Sequence, residues 1–222
     1  MRKADLLDRF LVRATVTDVE KITPRMRRIR LVGESLPGLE WTPGQHVRVR
    51  VGALTLRTYS IWDRDADWID LCVLVDHPDP GPGADWARAA GAGEQVSFTR
   101  PEGRLVVRPD APYHLFLGDE TAAVPFGAMM RGVSSPLYGV VEAESPADHL
   151  PLALDNWIHR EESNLLQALR EMALPETPGV AYIAGEARTC QTLRRHLMTE
   201  RGWPRSAVTV KPFWAPGRRG MD

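Results

Sequence analysis

The chain has 222 residues, of which 43% are hydrophobic and 26% are charged, a composition typical of an ordinary globular protein. Its 28 basic and 29 acidic residues give a net charge of −1, which argues against whole-chain attraction to nucleic acid or to an anionic membrane surface. The length allows one large domain or two small domains with cores of their own.

Cysteine content and the N-terminal sequence bear on the cell compartment. Only Cys72 and Cys190 are present, far apart and without Cys-x-x-Cys spacing, so we expect no metal site, no disulfide framework and a reducing compartment. Residues 1–9 are charged and lack the apolar segment of a signal peptide. No apolar run approaches the about 20 residues that span a bilayer. We therefore expect a cytoplasmic protein without stable membrane insertion.

The first half of the chain has the pattern of short strands separated by Gly and Pro residues. Val47, Val49 and Val51 alternate with arginines, which places the valines on one face of a strand. Six strands with one short helix, over residues 84–90, predict a closed antiparallel barrel that leaves no strand edge exposed. The predicted strands are residues 10–17, 26–32, 46–51, 54–61, 68–75 and 95–99.

After about residue 109 strands and helices alternate, which predicts a parallel sheet with helices on its faces. We place the domain boundary near residues 108–112, giving domains 1–109 and 110–222. Residues 145–148 are expected to form a loop. The predicted strands are 113–117, 137–141, 156–159, 180–184 and 208–213, and the predicted helices are 121–131, 163–172 and 188–201.

The most informative stretch is Arg57-Thr58-Tyr59-Ser60, at the end of the fourth predicted strand. An arginine, an aromatic ring and a hydroxyl at a strand end suit a flat anionic ligand. The alternative is a plain strand end with a packed tyrosine, and the tetrapeptide alone does not decide between the two.

A second cluster follows about twenty residues later, with His77, Gly81-Pro82-Gly83 and Trp86. A glycine turn that opens a helix offers free backbone N–H groups to a phosphate. An aromatic platform and a phosphate-binding turn in one small barrel together indicate a bound flavin nucleotide.

Two predicted strand ends in the second half are candidate sites, because ligands of parallel α/β sheets bind outside the carboxyl ends of the strands. Both segments also consist of residues that helix starts prefer, so plain capping remains an alternative. No G-x-G-x-x-G is present, which argues against an ordinary dinucleotide fingerprint. The segments are Gly118-Asp119-Glu120-Thr121 and Gly185-Glu186.

With these motifs in this order, the chain resembles the siderophore-interacting proteins, which are flavin-dependent ferric-siderophore reductases of the ferredoxin-reductase-like group. The likeness runs from Thr23-Pro24-Arg25-Met26-Arg27 to the C-terminus. The matching segments are Pro43-Gly44-Gln45-His46, Arg57-Thr58-Tyr59-Ser60, His77 with Gly81-Pro82 and Trp86-Ala87, Gly118-Asp119-Glu120-Thr121-Ala122 with Pro125, Ala184-Gly185-Glu186, Leu193-Arg194-Arg195, Arg201-Gly202, and Phe213-Trp214 with Gly217.

The resemblance implies an N-terminal six-stranded antiparallel barrel that binds FAD. Arg57 would pair with the flavin pyrophosphate, as suits a planar guanidinium. Tyr59 would stack on the isoalloxazine ring and Ser60 would hydrogen-bond its reactive part, which makes these two the expected catalytic residues. The remaining expected FAD-binding residues are Thr58, His77, Gly81, Pro82, Gly83, Ala84 and Trp86.

The resemblance also implies a C-terminal α/β domain that binds NADH or NADPH. Phe213 and Trp214 would cover the nicotinamide site near the flavin. A hydride would pass to the flavin and single electrons to a ferric siderophore or another ferric chelate, with release of Fe(II); a ferredoxin is a further partner to consider. The other residues expected at the nicotinamide site are Asp119, Glu120, Thr121, Gly185 and Glu186.

Some positions depart from the family pattern. Ala84 and Asp85 replace a small hydroxyl residue and often a basic one, while Trp62 and Ala215 stand where arginines are usual. These departures leave open a flavin reductase or electron-transfer partner of another redox protein, and a non-catalytic siderophore-binding module. The sequence does not choose between NADH and NADPH, since basic residues of the last predicted helix could meet a 2′-phosphate or only form a charged surface. Those residues are Arg188, Arg194 and Arg195.

Overall fold

A computed structural model describes residues 11–76 and 81–218 of the chain. The chain divides into two compact units, Met1–Val106 and Val107–Asp222. The division falls three residues before the boundary expected from the sequence, at residues 109 and 110. Each unit has its own hydrophobic core.

The first unit is a closed barrel, as the strand pattern predicts. Its strands follow one another around the barrel in the order β1-β2-β5-β4-β3-β6, and all neighbours are antiparallel. The strands are β1 (Val12–Lys21), β2 (Met26–Val32), β3 (His46–Arg50), β4 (Leu56–Arg64), β5 (Trp68–Leu74) and β6 (Gln95–Phe98).

Alternation along the strands fills the barrel interior. Val47 and Val49 are fully buried, while Arg48 and Arg50 between and after them are only half-buried. Two strands run beyond their predicted ends, because bulges restore pairing where the simple alternation breaks. In β1 the bulge lies between Val16 and Asp18, and in β4 it follows Ile61.

The helix α1 (Pro82–Ala89) begins two residues earlier than the sequence predicts and ends one residue earlier. Proline at the first helical position has its φ angle already set and lacks an N–H that would go unused there, so Pro82 starts the helix rather than preceding it. Ala87 of this helix is fully buried in the barrel core. The helix is thereby fixed against the barrel.

The second unit is a five-stranded parallel sheet in the order β11-β10-β7-β8-β9, covered by helices, which confirms the predicted fold class. The first strand of this unit, β7, is central, and the chain proceeds outward on one side and then on the other. The elements are β7 (His114–Asp119), α2 (Glu120–Met130), β8 (Leu137–Ala143), β9 (Trp157–His159), α3 (Leu165–Glu171), β10 (Val180–Glu186), α4 (Ala187–Arg195) and β11 (Val208–Trp214).

Helices cover both faces of this sheet. Leu115 and Leu117 belong to the cluster that includes residues of α3 and α4. Phe116, between them, faces the other way and meets Phe126 of α2 and Tyr182, with ring centroids 5.1 and 5.0 Å apart. Because both faces of the strands are buried, their sequences are continuous apolar runs.

Several boundaries differ from the predicted ones. Strands β7 and β10 each extend two residues further, because Asp119 and Glu186 still pair with neighbouring strands. The expected loop at 145–148 contains a short 3₁₀ turn, with Asp148 buried and accepting a 2.7 Å hydrogen bond from Ser145 Oγ. The predicted long helix 188–201 ends as an α-helix at Arg195 and continues as a wider π-type turn.

Both cysteines are buried thiols, at 5% exposure for Cys72 and 1% for Cys190. Burial raises the pKa of the Cys190 thiol to about 12, so this thiol stays protonated at neutral pH. Within residues 11–76 and 81–218, no helix is both long enough and apolar enough to cross a bilayer.

Candidate functional site

The two barrel motifs meet in one place. Arg57 and Tyr59 lie two residues apart on β4 and therefore on the same face of the strand. A Cβ atom placed on Gly83 would overlap Tyr59 Oη and would lie 3.1 Å from Arg57 Cγ, so the start of α1 packs directly on both side chains. The Tyr59 and Trp86 ring centroids are 5.7 Å apart. The strand end and the helix start, separate in sequence, form one cluster.

The other residues expected at this site differ in their surroundings. Thr58 is exposed, and Ser60 is half-buried and paired in register with His46 of β3. Tyr59 is half-buried, and burial raises the pKa of its phenol well above the ordinary value, an effect that the Arg57 charge only partly offsets. The Tyr59 hydroxyl is therefore neutral across the physiological range. His77 lies outside the described residues.

Within residues 11–76 and 81–218, no side chain caps the N-terminus of α1. Gly81 is its N-cap and has no side chain to accept from the first-turn amides, those of Gly83 and Ala84. The other three α-helices of the described residues are capped by a side chain of their own, from Asp119, Asn164 and Glu186. The barrel helix is thus the one whose end has amides to offer an anion.

The barrel contains two of the positions that depart from the family pattern, Asp85 and Trp62. Asp85 is exposed, and its carboxylate forms a 2.9 Å ion pair with Arg88 one turn later, so its charge near the open helix end is largely balanced. Ile61 is fully buried in the core, and Trp62 next to it is half-buried.

In the second unit Asp119 gathers the predicted residues around one carboxylate. Its side chain is 3% exposed. Oδ1 accepts from the backbone N–H and the hydroxyl of Thr121, at 2.9 and 2.5 Å, which caps α2. Oδ2 accepts from the Glu186 N–H at 2.9 Å and from Trp214 Nε1 at 2.8 Å. The ends of β7, β10 and β11 are therefore tied together by one buried group.

Gly185 makes this contact possible. Its φ angle is +115°, which disfavours any side chain, and a Cβ there would lie 2.5 Å from Asp119 Oδ2. Glu186 then caps α4 by accepting from the Arg188 and Thr189 amides at 2.9 and 2.7 Å. Burial alone would raise the pKa of Glu186, but these bonds outweigh it and hold the pKa below the ordinary value. Asp119 and Glu186 therefore both cap the helix that follows them, as the capping alternative predicts.

The Asp119 cluster, which consists of Asp119 and its partners Thr121, Glu186 and Trp214, lies where the strand order of the sheet reverses, between β7 and β10. Crevices at such switch points, outside the carboxyl ends of the strands, are where open α/β sheets bind their ligands. Phe213 is half-buried and takes no part in the hydrogen bonds to Asp119 that the structure describes. Trp214 is the aromatic residue that the carboxylate positions.

A second charged group lies beside this crevice, and of its four residues only Glu120 was predicted from the sequence. Arg160, directly after β9, donates from NH2 to Glu120 at 2.5 Å, from Nε to Glu142 at 3.0 Å and from NH1 to Glu144 at 2.6 Å. We call these four residues the Arg160 cluster. Burial raises the pKa of Glu120 and of Glu142, and the Arg160 charge opposes this rise. The sequence signal was a lone arginine at a strand end, which pairs with nothing nearby in sequence.

The basic residues that could meet a 2′-phosphate lie elsewhere. Arg188 is in the first turn of α4, after β10. Arg194 lines a cavity of about 290 Å³ with Arg205 and with residues of β11, at the edge of the sheet. Neither Arg188 nor Arg194 follows β8 or β9, the two strands at whose ends Glu142, Glu144 and Arg160 lie.

The Asp119 hydrogen bonds can be tested by substitution. Asp119→Asn should lower the free energy of unfolding by about 1–3 kcal/mol, because an amide cannot accept on both sides and leaves a buried donor unsatisfied. Trp214→Phe removes one donor and part of the ring but leaves the bonds from Thr121 and Glu186 to Asp119 in place, so it should cost less. Urea unfolding monitored by circular dichroism measures both.

Asp110→Asn is the matched control, since Asp110 is exposed. Such a surface change is expected to stay within about 0.5 kcal/mol of the parent. Equal stability of the Asp119→Asn and Asp110→Asn variants would contradict the assigned role of the buried carboxylate.

Comparison with known proteins places this geometry in context. Ferric vibriobactin reductase ViuB of Vibrio cholerae is 24% identical over 238 residues, covering 89% of this chain and 86% of that protein. The mycobactin import ATP-binding/permease protein IrtA of Mycolicibacterium smegmatis is 26% identical over 223 residues. That match covers 92% of this chain but 26% of IrtA, so the chain spans about a quarter of that relative's length.

Among solved structures, a siderophore utilization protein from T. fusca superimposes with a TM-score of 0.82 and 25% identity, covering 96% of this chain and 95% of that one.

Two family models match consecutive parts of the chain. The siderophore-interacting FAD-binding domain matches residues 50–105, which contain both barrel motifs. The siderophore-interacting protein model matches residues 111–217, which contain the Asp119 and Arg160 clusters. Together the two models account for more than two thirds of the sequence. The chain therefore belongs to the siderophore-interacting protein family, and its barrel is an FAD-binding domain of that family.

Proposed function

We propose that this protein is an FAD-dependent oxidoreductase that passes electrons from NADH or NADPH to a ferric siderophore and so releases iron as Fe(II). The observation that carries the proposal is the presence, in one chain and in this order, of the family's FAD-binding domain and its siderophore-interacting domain. The likeness to ferric vibriobactin reductase over most of that protein's length supports the same function.

The barrel cluster fits the phosphates of FAD. The first-turn amides of α1 belong to Gly83 and Ala84, and Arg57 packs against the same helix start. Backbone N–H groups and a guanidinium together suit a pyrophosphate, which carries negative charge on the oxygens of both phosphate groups. Arg57, Gly83 and Ala84 would hold this part of the cofactor.

Tyr59 and Ser60 would serve the flavin ring, and Thr58, Gly81, Pro82 and Trp86 would shape its surroundings. The Tyr59 phenol stays neutral, because burial raises its pKa, so it contributes a flat surface and a hydroxyl rather than a charge. The Ser60 hydroxyl can donate one hydrogen bond to a ring atom. Bound FAD supplies the exchange between two-electron and one-electron transfer, and the protein supplies position and electrostatics.

We place the nicotinamide site at the switch point of the sheet, in the second unit, with the FAD in residues 1–109 and the nicotinamide nucleotide in residues 110–222. Gly185 has no side chain at this crevice, and Asp119 fixes the Trp214 indole beside it. Thr121, Glu120 and Glu186 complete the rim. The ring of Trp214 would cover the nicotinamide, and Phe213 would support it from the same strand.

The decisive experiment is anaerobic stopped-flow spectroscopy of the FAD-loaded protein. Mixing with NADH or NADPH should bleach the flavin absorbance, and a second mixing with ferric siderophore should restore it as an Fe(II) chelator develops colour. Rapid reoxidation by free flavin or a ferredoxin, without reaction with ferric siderophores, would favour an electron-transfer partner. A protein that takes up no flavin and whose tryptophan fluorescence is quenched by ferric siderophore would instead be a binding module.

Arg57 gives a residue-level test of the FAD site. Arg57→Ala should weaken FAD binding about tenfold to a hundredfold, because charge-assisted hydrogen bonds contribute about 1.5–3 kcal/mol each. Arg57→Lys should recover only part of this, since an ammonium lacks the planar fork. Titration of apo-protein with FAD gives the affinities.

Arg13→Ala serves as the control for loss of one positive charge. Arg13 is exposed on β1, which lies opposite β4 in the barrel order. If Arg57→Ala binds FAD as tightly as Arg13→Ala does, the pyrophosphate contact is wrong.

Gly83 tests the packing of the helix start. In Gly83→Ala the new methyl group overlaps the Tyr59 hydroxyl, so the ring or the helix must shift, at a cost of about 1–3 kcal/mol. We expect a lower melting temperature and weaker FAD binding. Gly91→Ala is the matched control, because nothing lies within 4 Å of a Cβ at that exposed position. A Gly83→Ala protein with unchanged FAD affinity would show that the helix start does not contact the cofactor.

A further inference from the structure

The Arg160 cluster lies where the adenosine half of a dinucleotide would be recognised. Glu142 is next to the last residue of β8, the strand that follows β7 and α2 in the chain, and it pairs in register with Asp119. In dinucleotide-binding sheets an acidic residue at the end of the second strand accepts from the ribose 2′-hydroxyl of NAD, whereas an arginine nearby accommodates the 2′-phosphate of NADP. The Arg160 cluster contains both acidic residues and an arginine, so the pairing between them decides whether the site favours NADH or NADPH.

Arg160 is already committed to carboxylates. Each of its three guanidinium nitrogens donates to a different glutamate, at 2.5, 3.0 and 2.6 Å. Three of its five N–H donors are used in this way, and turning the guanidinium toward a phosphate would break its pair with Glu120, whose side chain is 2% exposed. Breaking a buried ion pair leaves an uncompensated charge and is strongly unfavourable.

The charge balance of the cluster is also unfavourable to a further anion. Three carboxylates face one guanidinium, and Asp119 lies beside Glu120. Protonation of one glutamate would still leave the group without net positive charge. A 2′-phosphate would therefore enter a region of negative potential, while a neutral 2′-hydroxyl would meet carboxylate acceptors.

Arg188 and Arg194 do not substitute for Arg160. Arg188 follows β10, which is two strands from β8, or about 10 Å across the sheet. Arg194 lies further away in that direction, beside β11. Neither belongs to the Arg160 cluster.

We propose that the Arg160 cluster selects NADH over NADPH, with Glu142 accepting from the ribose 2′-hydroxyl and with Glu142 and Glu144 repelling a 2′-phosphate. This inference rests on the proposed function, because it assumes that the crevice binds a nicotinamide nucleotide. It assigns Glu142, Glu144 and Arg160 as specificity-determining residues.

Binding of two probe molecules tests the selectivity without any turnover. Calorimetric titration of the FAD-loaded protein should show ADP-ribose binding about tenfold or more tightly than 2′-phospho-ADP-ribose at low salt. The difference should shrink as salt is added, because added ions screen the repulsion. Stopped-flow reduction of the bound flavin should show the same preference for NADH over NADPH.

Substitution tests the residues. Glu142→Gln with Glu144→Gln removes two negative charges and keeps side-chain oxygens as acceptors, so binding of 2′-phospho-ADP-ribose should improve about fivefold or more relative to ADP-ribose. Glu144→Gln alone, at a half-exposed side chain, should give a smaller change in the same direction and does not depend on the buried pairs. Glu176→Gln is the control, because it removes one charge from an exposed residue of the same unit that is not among the Arg160 partners.

Equal binding of the two probes by the parent protein, or a binding ratio that responds to Glu176→Gln as much as to the Glu142 and Glu144 variants, would overturn the selectivity while leaving the reductase function in place. Failure of both NADH and NADPH to bind or to reduce the flavin would instead overturn the proposed function, and the selectivity with it.

Discussion

The buried carboxylate of Asp119 is the interaction on which the second unit depends. It is 3% exposed and accepts from donors of Thr121, Glu186 and Trp214, which belong to α2, β10 and β11. A carboxylate removed from water is tolerated only when its oxygens are satisfied by hydrogen bonds. The need to satisfy this one group therefore fixes three chain segments relative to each other, at the point where a ligand of such a sheet would bind.

The two units differ in how the N-termini of their helices are capped. In the barrel, α1 has no side-chain cap from the part of the chain that the structure describes, and uncapped first-turn amides suit an anion. In the α/β unit, α2 and α4 are capped by Asp119 and Glu186. The same physical group, a set of unpaired amides at a helix start, is thus left open in the FAD-binding domain and closed by carboxylates at the sheet.

This division makes the two candidate sites electrostatically opposite. Around α1 the charges of Arg57 and of the Asp85–Arg88 pair leave a region suited to phosphates. At the sheet the carboxylates outnumber the single guanidinium of Arg160. Recognition at the sheet would rely on acceptors for hydroxyl groups and on ring packing rather than on attraction of phosphate.

Local sequence patterns determined the elements and their order. Alternation at Val47 and Val49, apolar runs in the parallel strands and the Gly-Pro start of α1 all act through neighbouring residues, so the barrel and the α/β unit could be predicted. The ordered motifs also identified the family and the two groups of candidate residues.

Only the tertiary structure decided which of these residues meet. The contact of Gly83 with Tyr59, the bond from Trp214 to Asp119 and the three partners of Arg160 join positions far apart in the chain. Strand ends such as those of β7 and β10 were predicted two residues short, because pairing with neighbouring strands, rather than local propensity, sets where a strand stops. A lone arginine such as Arg160 carries no local signal of its partners, since these come from other segments that the sheet brings together.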